Sequence, residues 1–141
     1  MELKQYTSED FHILEKWFSE WGWNICDRRS IAKNAYFVYK DDAPVVFSYF
    51  CESDTNGSFL GFTISDKNCS KDVVGECLDK LLVFLFSEAK SLGYDYMLYS
   101  TDNKAMVKRL VHLNLMQVTD NASGYILVGQ LGTPKTLSSI F

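Results

Sequence analysis

The sequence has few of the residues that build metal centres and disulfide frameworks. Its four cysteines are widely spaced, no two of them form a Cys-x-x-Cys pair, and only two histidines occur in the chain. A structural zinc site needs about four closely grouped Cys or His ligands, and a disulfide-stabilised domain needs a dense pattern of cysteines. The sequence therefore predicts no metal site and gives no sign of a disulfide framework.

The chain also has no long apolar run and no excess of basic residues. No segment reaches the roughly 20 apolar residues of a membrane-spanning helix, and the first residues, Met-Glu-Leu-Lys, do not resemble a signal peptide. The net charge is −4, whereas binding to nucleic acid or anionic lipid depends on concentrated Lys and Arg. We therefore expect a cytoplasmic protein that binds neither nucleic acid nor membrane.

What the sequence does have is enough apolar side chain for one core. Hydrophobic residues make up 47% of the 141 residues and aromatic residues 15%. Single domains commonly run to about 100–150 residues, and this composition is far from that of disordered chains. We predict a single domain over residues 1–141. Its apolar end, 132–141, is expected to be a docking tail for the body or for a partner, either a second copy or another protein.

The clearest helix signal lies in the middle of the chain. Between Ser70 and Leu92 the apolar residues fall at the spacing of one buried helix face. Ser70 is suited to accept a hydrogen bond from a first-turn amide, and Gly93 can adopt the left-handed conformation that ends a helix. Three further elements flank this helix: a strand over 58–64, a polar loop over 65–69 and, after the helix, a strand over 94–100.

The other elements follow from similar patterns and from turn chemistry. Asn56-Gly57 tolerates the positive φ angles of hairpin turns, and Asp41-Asp42 before Pro44 is also a turn signal. An antiparallel meander is therefore predicted, followed by a parallel pair from the strand–helix–strand unit. The remaining predictions are strands over 1–6, 35–39, 45–51, 115–119 and 125–131, and helices over 9–21 and 103–113. In the helix over 9–21, Phe11, Leu14, Phe18 and Trp21 are expected to face the core, with Ile13 and Trp17 beside them.

This order of elements resembles that of the GNAT superfamily of N-acyltransferases. The resemblance implies a mixed α+β fold with a central, mostly antiparallel, twisted sheet of about six to seven strands and helices on both faces. It also implies acetyl-CoA as the acyl donor. In that family a loop and the helix start that follows it bind the pyrophosphate of CoA, because exposed amides and the helix dipole favour negative charge.

The residues at the expected cofactor site match the family in part. The pattern Arg/Gln-x-x-Gly-x-Gly/Ala falls on Ser70–Gly75, where Gly75 occupies a glycine position and Val73 replaces the other glycine. In the second helix Asn103 matches the family's Asn, but Leu110 stands where a tyrosine acid is usual. The residues that the resemblance places at the cofactor are Ile64, Ser65, Asp66, Ser70, Lys71, Val73, Val74, Gly75 and Asn103.

Catalysis by such a site needs a base that takes a proton from the amine as it attacks the thioester carbon. The candidate carboxylates are Asp66, just past a central strand, and Glu52, with Asp54 beside it. Tyr99 is the candidate phenol, with Tyr96 as the second choice. Each carboxylate is more often simply a polar loop residue, and nothing in the sequence chooses between these candidate groups.

An aromatic and basic cluster follows the first helix. Trp21, Trp23, Arg28 and Arg29 lie within nine residues. In the GNAT superfamily this region helps to wall the acceptor site. The alternative interpretation is that the tryptophans cover the core and that the arginines are solvated.

Our main functional hypothesis is acetyl transfer from acetyl-CoA to an amine of an unknown acceptor. The alternative is a catalytically inactive GNAT-fold binding module, which the absent glycine and tyrosine favour. Two weaker alternatives are an unrelated α+β binding protein and thiol chemistry at Cys69, which precedes the helix start. Cys51 and Cys77 lie in apolar patterns and are expected to be core thiols.

Overall fold

The computed structural model of the protein describes residues 1–121 and 124–132. In chain order its strands and α-helices are β1 (Glu2–Gln5), α1 (Phe11–Trp21), β2 (Asn34–Lys40), β3 (Ala43–Cys51), β4 (Gly57–Leu60), β5 (Ile64–Ser65), α2 (Lys71–Ser91), β6 (Tyr96–Thr101), α3 (Lys104–His112), β7 (Gln117–Asp120) and β8 (Tyr125–Gln130). The strands belong to a mixed, mostly antiparallel sheet. The predicted fold class is confirmed, and the described residues form eight strands where six or seven were expected.

The chain forms two compact units. Of the described residues, the first unit contains 1–51 and 60–85, and the second contains 52–59, 86–121 and 124–132. The predicted docking tail lies, apart from Gly132, outside the described residues.

The first unit is built on antiparallel pairing. β2 pairs with β1 and with β3, and β5 pairs with β3. The turn between β2 and β3 holds Asp41 and Asp42 at φ angles of 52° and 63°. Aspartate is one of the few residues other than glycine that enter this left-handed region readily. The predicted turn is therefore confirmed.

An aromatic core fills the first unit. The side chains of Trp17, Phe37 and Phe47 are at most 2% exposed. The prediction for α1 is wrong in one respect, because it turns Trp21 toward the core, whereas Trp21 is 37% exposed and Trp17 is buried in its place. A helical period groups the buried residues of α1, which are Phe11, Leu14, Trp17 and Phe18.

The predicted strand over 58–64 is in fact two strands. β4 pairs in parallel with β6 and β5 pairs antiparallel with β3, and residues 61–63 between them belong to no strand, although the Gly61 amide donates to the Tyr49 carbonyl over 2.8 Å. We call residues 61–63 the strand break. The Ser48 hydroxyl donates to the Phe62 carbonyl over 3.2 Å, and the Thr63 hydroxyl donates to Ser48 Oγ over 3.1 Å. Side chains therefore satisfy polar groups that a continuous ladder would have paired.

The second unit contains the parallel pair. The pairing of β4 with β6 confirms the strand–helix–strand prediction. β8 is antiparallel to both β6 and β7, so the predicted terminal hairpin is confirmed as well.

The chain turns between β3 and β4 as predicted, but the positive φ angles expected at Asn56-Gly57 are absent. Neither residue has a positive φ. Side chains shape this turn instead, since the Ser53 hydroxyl donates to the Gly57 carbonyl over 2.6 Å and the Gly57 amide donates to Thr55 Oγ1 over 3.1 Å. Ser and Thr hydroxyls compete in this way with the turns that a dipeptide signal predicts.

The predicted ends of α2 are confirmed. Ser70 Oγ accepts from the Val73 amide over 3.3 Å, and Gly93 has a φ of 95° and donates its amide to the Lys90 carbonyl over 3.0 Å. α2 is 21 residues long. Even so, no helix in the described part of the chain is long and apolar enough to cross a membrane.

Candidate functional site

The loop between β5 and α2 is held by its own hydrogen bonds. The Asp66 amide donates to the Val45 carbonyl over 2.9 Å, which extends the pairing of β5 with β3 by one bond. The carboxylate of Asp66 accepts from the Asn68 amide over 2.9 Å, and its carbonyl accepts from the Cys69 amide over 3.2 Å. Aspartate favours this kind of turn because its side chain can bond the backbone two residues on. The carboxylate predicted as a base therefore has a structural role in the loop.

The end of α1 is tied to the same loop. The Trp21 indole N–H donates to the Ser65 carbonyl over 2.8 Å, and the Asn68 side-chain amide donates to a Glu20 carboxylate oxygen over 2.8 Å. Lys67 Nζ donates to the Glu20 carbonyl over 3.3 Å and lies 5.3 Å from the centre of the Trp21 ring. These contacts fix the loop from a second side. Sequence reasoning missed them, because the partners are more than 40 residues apart.

The start of α2 presents backbone amides. A helix leaves its first four N–H groups without intrahelical partners, and the Ser70 hydroxyl satisfies that of Val73. The amides of Lys71 and Asp72, whose side chains are exposed, make no hydrogen bond within the part of the chain that the structure describes. Val73, Val74 and Gly75 are half-buried. This helix start has the groups that an anion site needs.

The amides expected at a thioester carbonyl are Ile64, Ser65 and Asp66. The Asp66 amide is already paired with Val45, and successive amides along an antiparallel strand point to opposite sides. The Ser65 amide therefore points away from β3. Of the three predicted donors, Ser65 fits this role best.

The other predicted catalytic residues lie in the second unit. Glu52 is exposed and directly follows β3. Tyr99 is half-buried in β6, and burial raises the pKa of its phenol, which a hydrogen bond with Thr101 lowers in part. A phenol with a raised pKa remains protonated at neutral pH, so Tyr99 is suited to donate a proton and unsuited to accept one.

Asn103 caps the N-terminus of α3. Its side-chain oxygen accepts from the amides of Ala105 and Met106 over 3.0 Å and 3.2 Å. This is the favoured role of an asparagine at a helix start. The amide oxygen predicted to lie at the cofactor is therefore engaged within its own helix.

Tyr49 is a polar side chain at the strand break that sequence reasoning missed. Its ring lies where a side chain on Gly61 would be, and the Phe62 backbone hydrogen-bonds its hydroxyl. Burial is the main cause that raises the pKa of this phenol. The signal in the sequence is weak, since the only indication that the Tyr49 ring lies close to the backbone is the glycine at position 61.

A cavity of about 600 Å³ lies elsewhere, in the second unit. Tyr96 is the only lining residue of this cavity that was among the predicted site residues or their alternatives. Its lining side chains are uncharged, so it offers no cation for a phosphate. In residues 1–121 and 124–132, no three His, Cys, Asp or Glu side chains are grouped so as to hold a metal ion.

Cys69 is a poor nucleophile in this loop. Burial and the neighbouring Asp66 carboxylate both raise the pKa of its thiol. Less thiolate is then present near neutral pH than in an ordinary cysteine, and the thiolate is the reactive form.

We expect Cys69 to be alkylated by iodoacetamide more slowly at pH 8 than a cysteine in an unstructured peptide. The rate should rise with pH through an inflection above about 8.5, the usual value for a free thiol. Peptide mapping by mass spectrometry after timed quenching separates Cys69 from the other thiols. An inflection below that value would restore Cys69 as a nucleophile.

Several solved structures with a similar fold are acetyltransferases. The ribosomal-protein-S18-alanine N-acetyltransferase from Escherichia coli has a TM-score of 0.75 at 10% identity, over 96% of this chain and 97% of that one. A GNAT-family acetyltransferase from Staphylococcus aureus has a TM-score of 0.67 at 14% identity, over 93% and 99%. The N-acetylglutamate synthase from Neisseria gonorrhoeae, solved with coenzyme A and L-arginine, has a TM-score of 0.72 at 11% identity, over 94% of this chain and 33% of that one.

Sequence comparison gives no such match. Neither a family model nor a curated protein sequence matches this chain. At 10–14% identity the structural likeness shows the fold alone. That fold is the GNAT fold.

Proposed function

We propose that this chain, which has the GNAT fold, transfers an acetyl group from acetyl-CoA to an amine. The observation that carries the proposal is the ordered turn from β5 into α2. It holds the outward-pointing Ser65 amide and the exposed amides of Lys71 and Asp72 within one segment of eight residues, and two separate sets of contacts brace it. The similar acetyltransferase structures support the same reaction class.

In the proposed reaction the Ser65 amide binds the thioester carbonyl oxygen. The amine nitrogen attacks the carbonyl carbon, the carbon–sulfur bond breaks, and the electron pair leaves with the sulfur of CoA. One proton passes from the nitrogen to a base, and the thiolate takes up a proton to give free CoA. Because direct transfer depends mainly on positioning, the chemistry places few demands on individual side chains.

Charges at the helix start both help and oppose CoA. Asp72 lies in the first turn of α2, where the helix dipole already favours its carboxylate and where it would repel a phosphate. Lys67 and Lys71 are exposed and offset this charge. We propose that the pyrophosphate binds the Lys71 and Asp72 amides and passes beside Gly75.

A second candidate function is a GNAT-fold binding module without catalysis. Leu110 stands where the superfamily usually carries a tyrosine acid, and its side chain is fully buried. A positioned acid typically contributes about 10²–10⁴-fold in rate. Release of free thiol from acetyl-CoA in the presence of amines distinguishes the two functions, since only the enzyme produces it.

We expect millimolar acetyl-CoA to raise the unfolding temperature, and Gly75→Asp to remove most of that rise. A ligand that binds only the native state adds about RT ln(1 + [L]/Kd) to stability. A carboxylate at position 75 should weaken binding about tenfold or more through repulsion of the phosphates. Thermal unfolding with and without acetyl-CoA measures both effects.

Val83→Asp is the matched control for this experiment. It adds the same charge to an exposed position of α2 two turns further on, where Val83 is 50% exposed. Its acetyl-CoA response should equal that of the unmodified protein. If Gly75→Asp also responds fully, the pyrophosphate does not lie at this helix start. If acetyl-CoA does not raise the unfolding temperature even of the unmodified protein, the acetyl-CoA proposal is wrong.

A further inference from the structure

Two tryptophan rings form an exposed stack beside the candidate loop. The rings of Trp21 and Trp23 are 5.7 Å apart and inclined by 24°. Trp21 is 37% exposed and Trp23 49%. Large aromatic side chains that remain exposed together commonly mark a binding surface. We call these two rings the tryptophan stack.

The tryptophan stack is held rigidly. The indole N–H of Trp21 is bonded to the Ser65 carbonyl, and Trp23 packs edge-on against Phe18 at 6.0 Å. Phe18 is itself a core residue, 7% exposed. The stack is therefore pre-organised, which lowers the entropy lost when a ligand binds.

A row of edge-to-face ring contacts connects the stack with the strand break. Trp23 contacts Phe18, Phe18 contacts Phe62 at 5.4 Å, and Phe62 contacts Tyr49 at 5.0 Å. The interplanar angles are 79°, 82° and 81°. Phe62 and Tyr49 lie at the strand break, directly before β5. One aromatic wall thus leads from the surface to the segment that carries Ser65.

The positive charge of Lys67 beside the tryptophan stack favours a neutral aromatic ring over a cation as its ligand. The Lys67 ammonium already lies over the Trp21 ring. A second cation on the same ring would meet like charge, whereas a flat neutral ring can stack on Trp23. Aromatic pairs are attractive in stacked or edge-on geometry.

We propose that the acceptor is an amine whose carrier bears a flat aromatic ring, which stacks on Trp23 while the amine reaches the strand break. This inference rests on the proposed function, because it assigns the acceptor class of the same site. Binding energy from the ring then serves to position the nitrogen at the thioester.

The test compares two amines with a short carbon chain, 2-phenylethylamine and n-butylamine. Thiol release from acetyl-CoA gives kcat/KM for each with the full chain. We expect the aromatic amine to be favoured about tenfold. In Trp23→Ala this preference should fall to near unity, and in Trp23→Phe most of it should return. Phe59→Ala is the control, since Phe59 is 45% exposed and lies in β4; it should leave the preference unchanged.

Two kinetic outcomes would overturn the proposal. A preference that survives in Trp23→Ala means that the ring does not bind the stack. A rise in the KM of acetyl-CoA in Trp23→Ala, with the amine preference intact, assigns the stack to the adenine of the cofactor instead.

A binding measurement separates this proposal from the proposed function. Saturation-transfer NMR of 2-phenylethylamine detects the bound ring without any turnover. A signal in the unmodified protein that is lost in Trp23→Ala supports the aromatic site even if thiol release is never seen. Equal signals in both proteins, or none in either, would contradict it.

Discussion

Gly129→Ala is expected to lower the stability of the protein by about 3 kcal/mol, since overpacking typically costs about 1–3 kcal/mol and occasionally more. Gly129 lies in β8 opposite Met97. A Cβ atom there would overlap the Leu115 carbonyl oxygen. It would also lie 2.9 Å from a ring carbon of Phe86. The carbonyl belongs to the backbone and cannot rotate away. The unfolding temperature should fall by roughly 10 °C for a chain of this size.

Gly57→Ala is the control for this substitution. A Cβ on Gly57 would meet Leu98 Cδ1 at 3.5 Å, which is ordinary contact. Differential scanning calorimetry of both variants should therefore show a large shift for position 129 and a small one for position 57. Equal shifts would mean that the β8 backbone moves aside at little cost.

Gly61→Ala should reduce both stability and acetyl transfer. The added Cβ would overlap the Tyr49 ring, three of whose carbons lie within 3 Å of its position. Tyr49 must then swing away, which breaks its hydrogen bond with Phe62 and disturbs the strand break. Since small displacements of bound reactants can cost about 10²-fold in rate, we expect a loss of that order in kcat/KM for thiol release.

A double-mutant cycle with Tyr49→Ala tests the cause of this effect. If the clash with Tyr49 is responsible, Gly61→Ala should cost much less stability when Tyr49 is already alanine. Coupling between contacting residues is commonly about 0.5–3 kcal/mol. Additive effects would show that the tyrosine ring is not the obstacle.

Local chemistry explains the parts of the fold that the sequence predicts well. Ser70 and Gly93 bound α2 as predicted, and a glycine, Gly22, likewise ends α1 with a φ of 71°. Each of these signals depends only on residues within one turn. The parallel pair of β4 and β6 follows in the same way from the length of the helix between them.

Non-local contacts explain the failures. The single strand predicted over 58–64 is interrupted at residues 61–63, where two residues of β3 make contacts that the sequence pattern does not show: the Ser48 hydroxyl bonds the Phe62 carbonyl, and the Tyr49 ring covers Gly61. The positive φ angles predicted at Asn56-Gly57 are absent, and hydrogen bonds with the Ser53 and Thr55 side chains shape this turn instead. Apolar periodicity and dipeptide preferences contain no information about such partners.

The candidate site was predictable in position and not in detail. A strand, a polar loop and a capped helix can be read from residues 58–75, and the Ser65 amide as hydrogen-bond donor to the thioester carbonyl stays a prediction. The pairing of the Asp66 amide with Val45 and the bond from Trp21 to Ser65 depend on the tertiary fold. The catalytic roles of Asp66, Glu52 and Tyr99 remain predictions.

The bond from Trp21 to Ser65 also makes the intrinsic fluorescence of Trp21 sensitive to the conformation of the loop between β5 and α2. The emission wavelength of an indole depends on the hydrogen bond of its N–H and on nearby charge. Trp21 has both, because Ser65 accepts its proton and Lys67 lies over its ring. Trp17, 2% exposed, supplies a shielded reference in the same spectrum. A ligand that displaces Lys67 or breaks the bond to Ser65 would thus shift the tryptophan emission maximum, and no added fluorophore would be needed to detect it.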